Sequence, residues 1–291
     1  MVKQLRDTTQ AGFADCKKAV EETNGNFEEA LDWLKKRGIA KASKKSGAIA
    51  ADGTIVIVND ENSATIAEIN SQTDFVAISD NFQSAANKIA LALQKNGNKT
   101  KDLESALKLK VDGKTISEYT TELTGTIGEK IELRRFNFVE KSKNQAIATY
   151  LHANKRIGVV IVLEGTNDSN LAKDIAMHAA AMKPQYVSMN DVPQNVVDKE
   201  RAIILEQMAS DPANKSKPKN ILEKMSEGKV KKALKDMVIE EQTFVKDSKK
   251  TISQLLKENK SSISEMIRYE VGEGIEVAKV DFKEEVKKQI G

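Results

Sequence analysis

Apolar and polar positions recur along this chain in two periods, and the changes between them mark its parts. Residues 1–38 follow the helical period. In "FADCKKAVEETNG", Phe13, Cys16, Val20 and Thr23 are spaced for one helix face, which stops at Gly25. In "NFEEALDWLKKRG", Asn26 is an expected N-cap with Glu29 three positions on. Phe27, Ala30, Leu31 and Leu34 point inward with Trp33 beside them, and Gly38 is expected to end the helix. Three helices this short bury little surface alone, so they read as a docking unit. The basic stretch "KKRGIAKASKKSG" has Ile39 as its one large apolar residue, and 39–47 reads as a linker, a solvated tether in preference to a phosphate-binding strip.

From residue 48 the period shortens to two. "TIVIVNDENSATIAEIN" predicts a β-hairpin turning at Asn59–Ser63, and "DNFQSAANKIALAL" predicts a helix with Phe82, Ala86, Ile89 and Leu93 on one face. The order of β run, polar joint and Ala-rich amphipathic helix returns in "IGVVIVLEGTNDSNLAKDIAMHAAAMKP". Two related α/β halves are expected, 48–140 and 141–186 with 239–272, each with helices on one face of a sheet. The fold class is α+β.

All four prolines (Pro184, Pro193, Pro212, Pro218) cluster after the second half begins. Between them lie two predicted helices whose Val196, Ile204, Met208, Leu222, Met225 and Leu234 form a narrow seam. This pattern predicts an antiparallel coiled-coil insertion over 187–238. "TISQLLKENKSSISEMIRYEVGEG" then predicts a helix followed by a strand. In the C-terminal module, 273–291, Phe282, Val286 and Ile290 share a stripe too narrow to stabilise a free helix, so it is expected to dock.

The joint "NSQTDFVAIS" is the unusual place. A strand that reads as buried runs into Asp74 and Phe75 just before a helix. Phe75 either closes the core below the joint or faces outward, where function collects. The matching joint in the second half, "GTNDSN", has no aromatic residue, and that asymmetry favours function.

Charge and composition narrow the classes. Charged residues are 31% of the chain but the net charge is only +3, and aromatics are 4%. Neither the basic excess nor the stacking residues of a dedicated nucleic-acid binder are present. Cys16 is the single cysteine, so no internal disulfide can form, and it reads as a small apolar residue in a reducing compartment. "MVKQLRDTTQ" has no apolar signal core and "VVIVL" is too short to span a bilayer, so a soluble cytoplasmic protein is expected.

Catalytic signatures fail. "VDGKT" lacks the earlier glycine of a phosphate loop, where Lys108 stands instead. "TGTIGEK" and "VGEGIE" are paired glycines without a dinucleotide fingerprint. His152 and His178 are the only histidines and form no zinc motif. No active site, metal or cofactor is expected.

Seven motifs nevertheless occur in a specific order: "QAGFADCKKAVEETNGNFEEALDWLKKRG", "NSQTDFVA", "GEKIELRRF", "YLHANKRIGVVIVLEG", "DIAMHAAAMKP", "QTFVKDSKKTISQLL" and "RYEVGEGIE". Together they resemble the bacterial elongation factor Ts family over essentially the whole chain. The resemblance implies a guanine-nucleotide exchange factor for elongation factor Tu, binding its GDP-bound and nucleotide-free forms. It also implies a ubiquitin-associated-like N-terminal three-helix domain, a two-part α/β core, a coiled-coil insertion and a C-terminal module. Thr73, Asp74, Phe75 and Val76 match the motif associated in that family with displacing magnesium from the GTPase, the ring wedging between two partner helices. Further partner contacts are implied at Arg6, Phe13, His152, Phe282, Val286 and Ile290. One departure stands out: where the family commonly has Thr-Gly-Ala-Gly-Met-Met, this chain has Thr9-Gln10-Ala11-Gly12-Phe13-Ala14. Phe13 keeps an apolar contact, but Ala14 is too short to replace Met. The alternative from the residues alone is a ribosome- or RNA-associated protein using the linker and the helical insertion. It requires a steep salt dependence that the balanced charge does not favour.

Overall fold

The computed structural model describes residues 1–9, 11–214 and 217–276. Helices α1 (Val2–Thr9), α2 (Phe13–Glu22) and α3 (Phe27–Lys45) form a small unit around Leu5, Cys16, Ala19, Ala30 and Leu34. The expected cap of α3 is present: Asn26 Oδ1 accepts from the Glu28 and Glu29 N–H groups, and its Nδ2 donates to Glu29 Oε1 at 2.9 Å. Burial pushes the Cys16 thiol up, which keeps it protonated and apolar.

The expected end of this helix at Gly38 is corrected. Helix α3 continues through Lys45, so most of 39–47 is helix and not a tether. The reason is packing against α7 (Ile116–Ile127). A Cβ on Gly125 of α7 would stand 2.5 Å from the Gly38 carbonyl oxygen. Gly38 is therefore a crossing point between two helices, and the loss of side chains on both sides allows their backbones to touch. The unit is docked on the core along α3.

The core follows in two antiparallel sheets. In the first, β1 (Asp52–Asn59), β2 (Ser63–Ser71) and β5 (Glu132–Glu140) lie in that order. Between β2 and β5 come α4 (Asp74–Ala77), α5 (Asp80–Asn96), α6 (Leu103–Leu107), the short pair β3 (Lys110–Val111) and β4 (Lys114–Thr115), and α7. The second sheet orders β6 (Gln145–Leu151), β7 (Ile157–Glu164) and β8 (Ser262–Glu270). Between β7 and β8 come α8 (Ser169–Met182), α9 (Gln194–Ser210), α10 (Lys219–Met237) and α11 (Ile252–Glu258).

Alternation along the central strands builds the layers. On β2, Ala67 and Ile69 face Phe82, Ala86, Ile89 and Leu93 of α5, while Ala64 and Ile66 face the other sheet. On β7, Val159, Ile161 and Leu163 face α8, and Val160 and Val162 meet the first sheet. Both central strands are thus buried on two faces, which explains why they read as continuous apolar runs. Among the described residues one carboxylate lies in this interior: Glu68 is fully buried and is held by Arg134, Arg135 and the Gly272 N–H. Arg135 also stacks on Tyr269, whose hydroxyl burial pushes up to about 12.

Helices α9 and α10 begin immediately after Pro193 and Pro218. Ile204, Met208, Val230 and Leu234 close their seam. Tyr186 and Val238 pair across the base, so the insertion leaves and re-enters the core at one point.

Candidate functional site

The polar joint after β2 is a single helical turn standing on a clamp. Thr73 caps α4, its Oγ1 accepting from the Val76 N–H at 3.4 Å. The same hydroxyl donates to Glu129 Oε1 at 2.7 Å, and the Thr73 N–H donates to Glu129 Oε2 at 3.0 Å. One residue earlier, Gln72 Oε1 accepts from the Lys130 N–H at 3.1 Å. Glu129 and Lys130 follow Gly128, whose left-handed φ of 87° ends α7 and turns the chain back toward the joint. On the far side, Ser79 caps α5, and Gln83 Nε2 donates to the Ala77 carbonyl at 2.7 Å.

A clamp on both sides fixes what faces outward. Ala77 is buried and Val76 packs partly on the core, whereas Asp74 is exposed and Phe75 is 80% exposed. The reading in which Phe75 closes the core is thereby excluded. A phenyl ring left in water forfeits about 1.5–3 kcal/mol of burial, so the turn holds it there at a cost that the fold does not recover.

His152 lies on the exposed turn between β6 and β7, its Nδ1 3.1 Å from the Tyr150 hydroxyl. Lys155 of that turn donates to Gln83 Oε1 at 2.8 Å, and its carbonyl accepts from the Ile55 N–H at 2.7 Å. Gln83 therefore joins the His152 turn to the Phe75 turn at one end of the two-sheet core. Arg6 is exposed on α1, and Phe13 is 60% exposed at the start of α2. Asp15 of that helix binds Lys41 and Arg37 of α3, and the Lys41 ammonium, followed by Arg37, holds its carboxyl below the usual range. Gln10, Phe282, Val286 and Ile290 lie outside the described residues.

The chain positions of Glu129 and Gln72 gave no hint of their work. "TGTIGEK" reads as paired glycines, and only the α7 cap shows that its glutamate returns to Thr73. The ring of Phe75 stands in solvent. A cavity of about 590 Å³ lies elsewhere, between α3 and α7, and is walled by Asp15, Lys41, Lys114 and Glu122. Among the described residues no group of His, Cys, Asp or Glu is placed to hold a metal ion, and no helix is long and apolar enough to cross a membrane.

Residues 72–273 match the family model described as elongation factor TS. The elongation factor Ts of Spiroplasma citri is 42% identical over 290 residues, spanning 100% of this chain and 97% of that relative.

Proposed function

We propose that this chain, which belongs to the elongation factor Ts family, loosens the nucleotide site of elongation factor Tu with the outward ring of Phe75. Its activity follows from that membership: it is a guanine-nucleotide exchange factor acting in translation elongation, not an enzyme. The observation that carries the mechanism is the exposed ring on a turn clamped by Glu129.

Magnesium in the GTPase bridges the protein to GDP phosphate oxygens and neutralises their charge. Displacing it, or the backbone around it, weakens GDP binding without breaking a covalent bond. Exchange factor and GDP then oppose each other by one shared coupling free energy, so the factor must bind both GDP-bound and nucleotide-free partner. A 10⁴-fold coupling requires about 5.5 kcal/mol. Burying one Phe supplies about 1.5–3 kcal/mol. The wedge therefore needs further contacts. Asp74 beside it, Arg6 and Phe13 on the N-terminal unit, and His152 on the β6–β7 turn are the candidates, with Phe282, Val286 and Ile290 of the tail. In the same reading α1–α3 are a ubiquitin-associated-like docking domain, α9 and α10 a coiled-coil insertion, and the protein works in the cytoplasm beside its partner.

Release of labelled GDP from purified elongation factor Tu, with and without this protein, tests the reading. The wild-type chain accelerates release, and Phe75→Ala loses most of that acceleration. Full acceleration by the variant would falsify the wedge.

A further inference from the structure

The α4 turn presents two apolar side chains, and the mechanism above uses one. Ile78 is 75% exposed, second only to Phe75 among the large apolar side chains described. Its N–H donates to the Asp74 carbonyl at 3.1 Å, which keeps it within the turn. Residues 75 and 78 are three apart and share a face. The core contacts of this turn come from Val76 and Ala77, so the fold places no demand for an apolar side chain at 78. Isolated exposed aliphatics need no explanation, but two adjoining ones on a rigid turn form a patch.

Carboxylates stand at one edge of that patch, and the Lys155 ammonium, bound to Gln83, stands at another. Asp74 and Asp80 are both exposed at its edge, and neither carboxylate pairs with a cation among the described residues. A surface that fits the patch has an apolar slot for both side chains and a basic rim.

We propose that Ile78 is a second anchor for elongation factor Tu, received beside Phe75 in one apolar slot with a lysine or arginine facing Asp74 and Asp80. The partner's identity rests on the exchange reading above, and the site is continuous with Phe75. The two anchors divide the work. Ile78 contributes binding shared by every partner state, whereas Phe75 acts on the coupling to GDP.

The test is GDP release measured against concentration of the full-length protein at low and high salt, for wild type, Phe75→Ala, Ile78→Ala and Asp80→Asn. Melting temperatures and sedimentation are recorded alongside. Ile78→Ala is expected to raise the half-maximal concentration about tenfold with little change in maximal rate. Asp80→Asn is expected to reduce the salt dependence. A wild-type concentration dependence for Ile78→Ala, with Phe75→Ala slow, overturns this inference and leaves the Phe75 mechanism standing. Weakened Ile78→Ala with normal Phe75→Ala keeps the anchor and removes the wedge. If Ile78→Ala lowers the melting temperature, but not in a chain ending at Glu276, residues 277–291 cover the patch and the inference fails. A dimer lost on Ile78→Ala assigns the patch to a second copy, with the same consequence.

Discussion

Between β2 and α5 the chain makes a detour: Gln72 and Thr73 lead into the α4 turn, and Ile78 and Ser79 lead out of it. Between β7 and α8, Gly165 turns at a left-handed φ of 81° and Asp168 caps the helix directly. The surroundings are otherwise alike. β2 and β7 are each the middle strand of three, each follows its hairpin partner, and each carries a register shift against its third strand. The buried stripe Phe82, Ala85, Ala86, Ile89 and Ala90 has its spacing repeated by Ala172, Ile175, Ala176, Ala179 and Ala180. A glycine turn and a cap therefore suffice to connect such a strand to such a helix. The extra turn, its clamp and its exposed ring exceed what the architecture requires, which is why we assign them to a partner.

The largest expected effect breaks this symmetry directly. Phe75→Ala should slow maximal GDP release by ~10–100-fold, the kinetic equivalent of losing one buried ring, with an unchanged melting temperature. A lower melting temperature and normal exchange at matched folded concentration would return the ring to the fold.

Next in size is the helix crossing that supports the clamp. Gly125→Val places side-chain atoms against the Gly38 backbone, and relieving the overlap costs ~1–3 kcal/mol. Limited proteolysis should then release residues 1–46, and the half-maximal concentration for exchange should rise several-fold (on the order of the same energy). Retention of a protected N-terminal unit with normal exchange would mean that α3 docking on α7 has no part in partner binding.

Glu129→Ala removes both bonds to Thr73. With Phe75 still present but less well held, exchange should fall ~3–10-fold, and Glu129→Gln, which keeps an acceptor, should recover part of it. The second joint supplies the opposite result. Asp168→Ala loses the cap bonds to Asn170 and Leu171, about 1 kcal/mol, and should lower the melting temperature while leaving exchange intact. If both variants lose exchange in proportion to stability, the two joints are equivalent and the assignment falls.

How much of this was legible in the sequence depended on the range of the interaction. Hairpin 52–71, the stripes of α5 and α8, the Asn26 cap and the Pro193 and Pro218 helix starts are local patterns, and the structure has them. The joint at Thr73–Val76 was visible as a break between two periods. The missing aromatic in the second half favours function at this joint, and the exposure of Phe75 decides it. What failed was non-local. Gly38 looks like a helix stop until Gly125, far along the chain, is seen to cross it. Glu129 looks like one carboxylate among many until α7 brings it to Thr73. Exposure of Ile78 belongs with these, because its spacing from Val76 and Ala77 does not say which of them the core selects.

The smallest effect concerns the outer flank of the two matching helices. Lys88 on α5 occupies the place in the stripe that His178 occupies on α8. Lys88 is exposed and pairs with Asp112 at 2.7 Å, whereas His178 is buried under Gln242 and Phe244. The Val245 N–H donates to His178 Nδ1 at 3.3 Å, so Nε2 carries the proton and donates to Gln242 Oε1 at 3.0 Å. Burial pushes the imidazole below its ordinary pKa, and protonating Nδ1 would set a donor against the Val245 N–H. The sign follows. Below the unfolded value near 6.5 the unfolded chain binds a proton that the folded chain refuses, so stability falls as pH drops toward the folded pKa. The slope is at most about 1.4 kcal/mol per pH unit. Burial pushes the carboxyls of Glu240 and Glu265 up, which acts in the opposite sense at lower pH, so the quantity to read is the difference between wild type and His178→Gln. Wild type should lose more melting temperature than the variant between about pH 7 and pH 5.5, with exchange per folded molecule alike in both. Equal losses would show that the returning segment after α10 opens to admit the proton. The second half would then be less tightly closed than its match to the first implies.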